Sequence, residues 1–322
     1  EEALGWARET DDTMIPMLLF LDGRITLATG GPADAYVDRA NEALSLLKKG
    51  KSVARAATLN ASLSQAYGWA GKLNEALAAS DAALEGISGI EKFDYDFLGY
   101  NVEHWIASLR GRILVRLGRF AEAEQCLKGM LSIEQSLIDP TVQIIPHMGY
   151  VELASCRGEV ALASQHASRV AEISEKGGSP YLQVYALAAR GAVKYLVQDF
   201  AGAARDFCEG LEFTRKAKAA VENEPEMLAS LADCYYQAGD CKRSEAIAKE
   251  TIELARQRSA RLPECRASIT CGAALIAQHG TERRNEAEHF LRRAEDLIKI
   301  SGARIYEARL REEKTRLMAL TY

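Results

Sequence analysis

The stretch LSQAYGWAGKLNEALAASDAAL, residues 63–84, decides the fold because its pattern is that of two helices joined at a glycine. Gly71 stands where the first helix would stop, since glycine adopts the left-handed conformation that ends helices without a steric penalty. Alanine occupies positions where larger apolar residues would be expected. Small residues let the two helices of a hairpin approach closely. The stretch therefore predicts an antiparallel helical hairpin.

The same pattern recurs at intervals of roughly 40 residues, as in helical repeat arrays. The candidate turn residues are Gly31, Gly71, Gly118, Gly158, Gln198, Gly239 and the His279–Gly280 pair. A small residue follows most turns at a fixed spacing, and Tyr36 is the exception in the series Tyr36, Ala76, Ala123, Ala163, Ala203, Ser244 and Ala287. A second small or apolar series follows at Ala43, Ala83, Met130, Val170, Gly210, Thr251 and Ala294. We expect both series to lie at helix contacts.

These spacings predict an all-α fold, since almost no window alternates with the period of a strand. Stacked hairpins curve into a superhelix. We expect one continuous domain, 1–322, a right-handed superhelix of about seven hairpins with a C-terminal capping helix. The predicted hairpins span about 12–50, 53–88, 100–136, 141–176, 180–219, 224–260 and 264–301, and the cap spans 303–322.

The repeat resembles the tetratricopeptide repeat. In the second unit the family's positions fall on Leu63, Ser64, Tyr67, Gly71, Ala76, Ala83 and Leu84; in the sixth they fall on Leu231, Ala232, Tyr235, Gly239, Ser244, Ala248 and Ile252. The standard repeat has 34 residues, whereas these units run near 40. Longer repeats of this kind resemble those that follow ATPase modules in bacterial signalling proteins.

Three stretches resemble the C-terminal helical region of multidomain class III adenylate/guanylate cyclases. They are FLDGRITLATGGPADAY (20–36), LSQAYGWAG (63–71) and NVEHWIASLRGRILVRLGRFAEA (101–123). The resemblance implies a regulatory module that tunes a catalytic domain lying N-terminal to it. The chain also begins at Glu1 in a helical pattern, so we expect it to be part of a longer protein.

Composition narrows the classes of function. The net charge of −5 argues against a nucleic-acid partner. The longest apolar run, residues 14–21, is far shorter than the roughly 18 residues of a membrane span. Seven scattered cysteines without a CxxC pair predict free thiols in a cytoplasmic protein. A zinc site at Cys265, Cys271, His279 and His289 is disfavoured because a gap of six residues places the two thiols on different helix faces. We expect no cofactor.

No catalytic motif is present, so the predicted function is that of a non-catalytic scaffold for protein–protein interaction. First helices line the concave surface of such arrays. The side chains expected to point into that groove are Gln65, Trp69, Trp105, Arg112, Arg116, Glu152, Tyr185, Tyr195, Asp233 and Tyr236. This mixture of aromatic, arginine and acidic side chains suits a peptide or a helix better than a metal ion.

The segment EKFDYDFLGYNVEHW, residues 91–105, is unusually aromatic and coincides with the longest interval between turns. One interpretation is that its rings pack a long connection onto the hairpins. The other is a partner-binding lip formed by Phe93, Tyr95, Phe97 and Tyr100, since aromatic residues beside carboxylates anchor partners. The connection 86–103, which contains most of this segment, either lines or blocks the groove.

Other functions remain open from the sequence. The alternative is a sensor that binds a small signalling ligand in the concave groove, with the aromatic segment forming the pocket. An enzyme that uses Glu152, Asp233 or His104 is disfavoured, because none of them has an acid–base companion at helical spacing. The exposed ends of a repeat array also allow a homo-oligomer, which nothing in the sequence fixes.

Overall fold

A computed structural model describes residues 2–10, 14–49, 55–89, 98–133 and 139–320. Within these ranges the chain forms sixteen α-helices and no strand. The helices α1 to α16 span Glu2–Thr10, Ile15–Ala28, Ala33–Lys49, Ala56–Ala70, Leu73–Glu85, Val102–Arg116, Phe120–Leu131, Pro140–Arg157, Val160–Gly177, Pro180–Leu196, Phe200–Ala217, Glu224–Gln237, Cys241–Gln257, Arg261–His279, Arg284–Ser301 and Glu307–Ala319. Short 3₁₀ turns occupy Ile87–Gly89, Val221–Asn223 and Arg304–Tyr306.

The helices form two layers. Each helix packs on the next along the chain, so α2/α3 through α14/α15 are seven hairpins and α16 closes the array. The first helices of neighbouring hairpins also contact one another, from α2 on α4 to α14 on α16. First helices therefore form the inner layer and second helices the outer layer. The all-α superhelix of hairpins predicted from the repeat is confirmed.

Left-handed residues end the first helix of most hairpins. Gly71 has φ 68°, and the Lys72 amide donates to the Tyr67 carbonyl at 2.8 Å. In the first hairpin the prediction was wrong by one residue, because Gly30 and not Gly31 has the positive φ, 88°. Gln198 takes the same role at φ 63° without being a glycine.

The small residues lie where the hairpins close, as predicted. Every member of the first series, Tyr36 included, is at most 1% exposed, and every member of the second series is buried. Tyr36 is the one large residue in the first series, and its environment explains how it fits. Tyr36 is fully buried, and a Cβ at Gly23 on the partner helix would lie 2.4 Å from its ring. A glycine opposite the tyrosine thus keeps the two helices close.

The superhelix meets itself after five hairpins. The Ala33 amide donates to the Arg258 carbonyl at 2.8 Å, and α2 contacts the turn 221–223. Arg261 donates to Asp34 at 2.9 Å and to the Ala70 carbonyl at 2.7 Å. The turn 304–306 packs on α6 in the same way. We call this line of contacts the seam, and it borders the inner surface of the array.

None of the helices within the described ranges is sufficiently long and apolar to span a membrane.

Candidate functional site

A chamber of about 400 Å³ lies inside the superhelix. Its wall comes mainly from the first helices α4, α6, α8, α10, α12 and α14, with the turns 221–223 and 304–306 and the start of α16. Apolar side chains, including Val151, Val184, Phe207 and Met227, alternate in this wall with arginine and acidic residues. The chamber falls in the size range of small-ligand sites, roughly 300–1,000 Å³.

The chamber contains most of the side chains that the sequence assigns to the groove. Seven of the ten line it: Trp69, Arg112, Arg116, Glu152, Tyr185, Tyr195 and Asp233. Their position follows from the inner layer of first helices. Whether they contact a partner is a separate question, which belongs to the proposed function.

The other three predicted groove residues lie elsewhere. Trp105 is 2% exposed and packs edge-on against Phe20 and Tyr100 in the N-terminal core, because α2 covers this face of α6. Gln65 accepts a hydrogen bond from the Tyr36 hydroxyl at 3.1 Å. Tyr236 lines a neighbouring cleft, where Arg316 donates to its hydroxyl at 2.8 Å.

The predicted aromatic lip is only partly described. Phe93, Tyr95 and Phe97 lie outside the described residues. Tyr100 accepts a hydrogen bond from Arg24 at 2.6 Å, and the guanidinium also lies over the Trp105 ring at 5.7 Å. The described end of this segment therefore packs into the N-terminal core.

One ion-pair network joins α6 and α8 in the chamber wall. Arg112 and Arg116 both donate to Glu152, with Arg116 at 3.1 Å. Burial disfavours the charged form of this acid, but the two guanidinium groups outweigh it and lower the pKa of Glu152 to about 2. The Glu152 side chain is still 25% exposed, because the chamber itself reaches it.

A second network joins α12, α14 and α16. Arg266 and Arg309 each donate to Asp233 at 2.7 Å, and the Thr270 hydroxyl donates to the same carboxylate. Burial opposes ionisation of Asp233, yet the two arginines outweigh it and lower the pKa below its usual range. Arg266 also reaches Glu226 at 3.3 Å. Asp233 is thus a locked anion, only 1% exposed.

The turn 221–223 forms a different part of the wall. Glu222 lines the chamber but makes no ion pair within the described part of the chain, and its Oε2 atom has no hydrogen-bond partner. Burial raises the pKa of Glu222 to about 7. Next to it, Asn223 Nδ2 also lacks a partner. On the adjoining α10, the Tyr181 hydroxyl donates to the Tyr185 hydroxyl at 3.1 Å.

Sequence reasoning missed several chamber residues, notably Glu222, Asn223, Arg266 and Arg309. For Arg266 the sequence did carry a signal. Arg112 and Glu152 stand 40 residues apart, and so do Glu226 and Arg266, which is one repeat length. Opposite charges at equivalent positions of consecutive first helices predict contact across neighbouring hairpins. Glu222 and Asn223 lie in a connection, where the repeat pattern carries no information.

A buried histidine pair lies in the fourth hairpin, away from the chamber wall. The Nδ1 atoms of His147 and His166 are 2.8 Å apart, and His166 stacks on Tyr150 with ring centroids 4.2 Å apart. Burial lowers the pKa of both histidines to about 4, and for His147 the neighbouring ring adds to it. The described residues contain no cluster of three or more potential metal ligands.

No protein-family model and no curated protein sequence matches the chain. Among solved structures, the fold is similar to the crystal structure of a Rap protein complexed with competence and sporulation factor, with TM-score 0.59 and 12% identity over 97% of this chain and 89% of that chain. It is also similar to a tetratricopeptide repeat protein from Parabacteroides merdae, with TM-score 0.50 and 17% identity over 94% of this chain and 98% of that chain.

A third similar structure is a signal transduction ATPase with numerous domains from Pyrococcus horikoshii, which carries a tetratricopeptide repeat sensor. Its TM-score is 0.52 with 14% identity, and the match covers 99% of this chain but 45% of that one. The likeness establishes a tetratricopeptide-like helical repeat fold for this chain.

Proposed function

We propose that this chain is a non-catalytic interaction module that binds a short peptide segment of a protein partner inside its superhelix. The observation that carries the proposal is the chamber, which brings aromatic, apolar and charged side chains from six first helices around one concave space. Binding sites are typically concave and mostly apolar, with a few fixed polar groups. The chamber has this composition.

The size of the chamber favours a short, extended ligand. A helix with its side chains is about 10–12 Å across, and a folded domain is larger still. A volume of about 400 Å³ suits a few residues of extended peptide better than either. The proposed ligand is therefore an extended segment or a terminus of the partner protein.

The charged residues of the chamber support binding rather than catalysis. Glu152 and Asp233 are each held by two arginines that keep the pKa low, which makes both carboxylates weak bases. His104, the third residue of the enzyme hypothesis, is not part of the chamber wall. The proposal assigns the ion pairs to the shaping of the wall.

The test is selection from a displayed peptide library with a variant that fills the chamber. Ala188 lines the chamber on α10, so Ala188→Trp should abolish enrichment of peptides that the unmodified protein selects. Ala78 is exposed on the outer helix α5, and Ala78→Trp is the matched control that should retain enrichment. Equal enrichment by both variants would contradict binding inside the superhelix.

A second candidate is a sensor of a small effector, and the chamber volume of about 400 Å³ favours it. The Pyrococcus horikoshii protein is described as having a tetratricopeptide repeat sensor. Native mass spectrometry of the purified protein separates the candidates. A bound small molecule that Ala188→Trp excludes would support the sensor, whereas an empty chamber and peptide selection would support the interaction module.

The resemblance of three stretches to class III cyclases extends the proposal to a longer protein. In that arrangement the module would regulate an N-terminal cyclase domain, and the gene sequence encoding the region before Glu1 tests it directly. A reading frame without a catalytic domain there would contradict the cyclase arrangement. A cytoplasmic location is part of the same proposal and agrees with the seven free thiols.

A further inference from the structure

Three side chains in the chamber wall each carry a buried polar atom without a hydrogen-bond partner. The atoms are Arg112 Nε, Glu222 Oε2 and Asn223 Nδ2, three of the eight such side-chain atoms in the described part of the chain. All three residues line the chamber. Buried polar groups are nearly always hydrogen-bonded, so three such atoms in the wall of one cavity point to a ligand.

The Tyr185 hydroxyl places these groups in one neighbourhood. Burial raises its pKa, and Glu222 adds to that rise, whereas Arg112 and Asn223 act in the opposite direction. Tyr185 lines the same chamber as these three residues. We call Arg112, Tyr181, Tyr185, Glu222 and Asn223 the Glu222 subsite.

The charges of the chamber indicate what the subsite accepts. Four guanidinium groups, of Arg112, Arg116, Arg266 and Arg309, face three carboxylates, of Glu152, Glu226 and Asp233. With Glu222 protonated, the chamber carries one excess positive charge. Arg112 Nε, Asn223 Nδ2 and the acid proton of Glu222 are then all donors. Three donors and one excess positive charge match a carboxylate.

We propose that the Glu222 subsite binds a carboxylate group of the ligand, and that Glu222 takes up one proton from solvent as the carboxylate binds. The inference rests on the proposed function, because it uses the same chamber. The carboxylate belongs to a peptide terminus, a peptide side chain or a small organic acid, which present the same chemistry.

The surroundings of Glu222 place its protonation near neutral pH. Burial is the largest effect and raises the pKa to about 7. The groups that oppose this rise are Arg24 on α2, Arg258 after α13, the Tyr181 hydroxyl on α10 and the backbone of the turn itself. The neutral acid is thus available at pH 6 and largely lost at pH 8.

The experiment uses 3-phenylpropionate, whose ring suits the apolar wall, and the neutral 3-phenylpropionamide as its matched control. Isothermal titration calorimetry at pH 6 and pH 8, in two buffers of different ionisation enthalpy, measures both affinity and proton uptake. We expect the acid to bind about tenfold more weakly at pH 8 than at pH 6, because the competent protonated fraction falls by that factor. We expect uptake approaching one proton at pH 8, and weaker binding of the amide without uptake.

Two variants sharpen the result. Glu222→Gln should remove both the proton uptake and the pH dependence, since glutamine remains a neutral donor. Glu313 is a matched control, because it is also buried with an unpartnered Oε2 and a pKa raised by burial, yet it lies in the neighbouring cleft. Glu313→Gln should behave like the unmodified protein.

The source of the carboxylate is tested with acetyl-Ala-Phe bearing a free or an amidated C-terminus. Preference for the free terminus supports a peptide carboxylate, and binding of 3-phenylpropionate alone supports a small acid. Equal binding of acid and amide at pH 6, unchanged proton uptake in Glu222→Gln, or no binding of either acid would overturn the inference. The proposed function would still stand in that case if the unmodified protein selects peptides and Ala188→Trp abolishes the selection.

Discussion

Asp233 and Glu222 are both carboxylic acids in the wall of the same chamber, yet burial has opposite outcomes for them. Asp233 lies between Arg266 and Arg309, and its pKa is lowered. Glu222 makes no ion pair within the described ranges, and burial raises its pKa to about 7. Burial penalises both charges, so the partners decide the protonation state. The first acid shapes the wall, and the second is available to a ligand.

The largest expected effect comes from removing Asp233, the carboxylate that is paired with arginines. Asp233→Ala leaves Arg309 without its anion and leaves Arg266 with Glu226 alone, which should lower the free energy of unfolding by about 3–5 kcal/mol. Urea denaturation measures the loss. Asp81→Ala is the control, because Asp81 pairs with Arg110 at the surface, where such pairs contribute about 0–1 kcal/mol. Similar losses of stability in both variants would contradict the claim that the buried arginine partners of Asp233 stabilise the fold more than a surface ion pair does.

The histidine pair extends the comparison to buried bases without a counter-charge. His147 and His166 have pKa values of about 4 in the folded protein, against 6.5 when exposed. The unfolded state therefore binds more protons between these values, and stability should fall as the pH drops from about 6.5 through 4. Both shifts in full would give about 7 kcal/mol, but partial solvent screening of the rings should reduce the loss to on the order of 3 kcal/mol for the pair. Chemical denaturation across this range checks it.

A variant with both histidines replaced by glutamine should lose most of that pH dependence. His279→Gln, on the seventh hairpin, is the control and should keep it. A stability profile that stays flat from pH 6.5 to 4 in the unmodified protein would contradict the assignment of this effect to the pair.

Glu222 should show a smaller effect of opposite sign. Its folded pKa of about 7 lies above the value of 4.5 expected when exposed, so the folded state holds a proton that the unfolded state releases. Stability should therefore fall as the pH rises from about 4.5 through 7. Because the residue is only partly buried, Glu222→Gln should be more stable than the unmodified protein by roughly 1–2 kcal/mol at pH 8. Equal stability at pH 8 would contradict the burial of an ionised Glu222.

The smallest expected effect concerns the seam beside Glu222. Arg261→Ala removes the contacts with Asp34 and the Ala70 carbonyl, for a loss of about 1 kcal/mol. Its sharper consequence is local, since a looser seam admits water to the turn 221–223. Hydrogen exchange should accelerate there and in α2, and the pH dependence attributed to Glu222 should weaken. Unchanged exchange in both segments would mean that the seam is held by other contacts.

The repeat pattern predicted the fold because its signals are local. Ala76 and the residues equivalent to it contact a helix of their own hairpin. A few positions in each repeat therefore specify the packing. Tyr36 breaks the pattern, and Gly23, thirteen residues earlier, restores it. Seven of the ten groove residues line the chamber for the same reason, since a first helix turns one face inward. Trp105 departs from the prediction because α2 covers it, which no spacing within its own hairpin indicates.

The sequence by itself determined the hairpins, the two layers and the kind of side chain on the inner face. Only the tertiary structure decided that the inner face lines a single chamber. The seam contacts that border it join residues as far apart as Asp34 and Arg261, a separation of 227 residues. Small rotations between successive hairpins accumulate over that distance, and their sum fixes which surfaces meet. The same accumulation places Glu222 in the chamber wall, so its chemistry depends on the path of the whole superhelix.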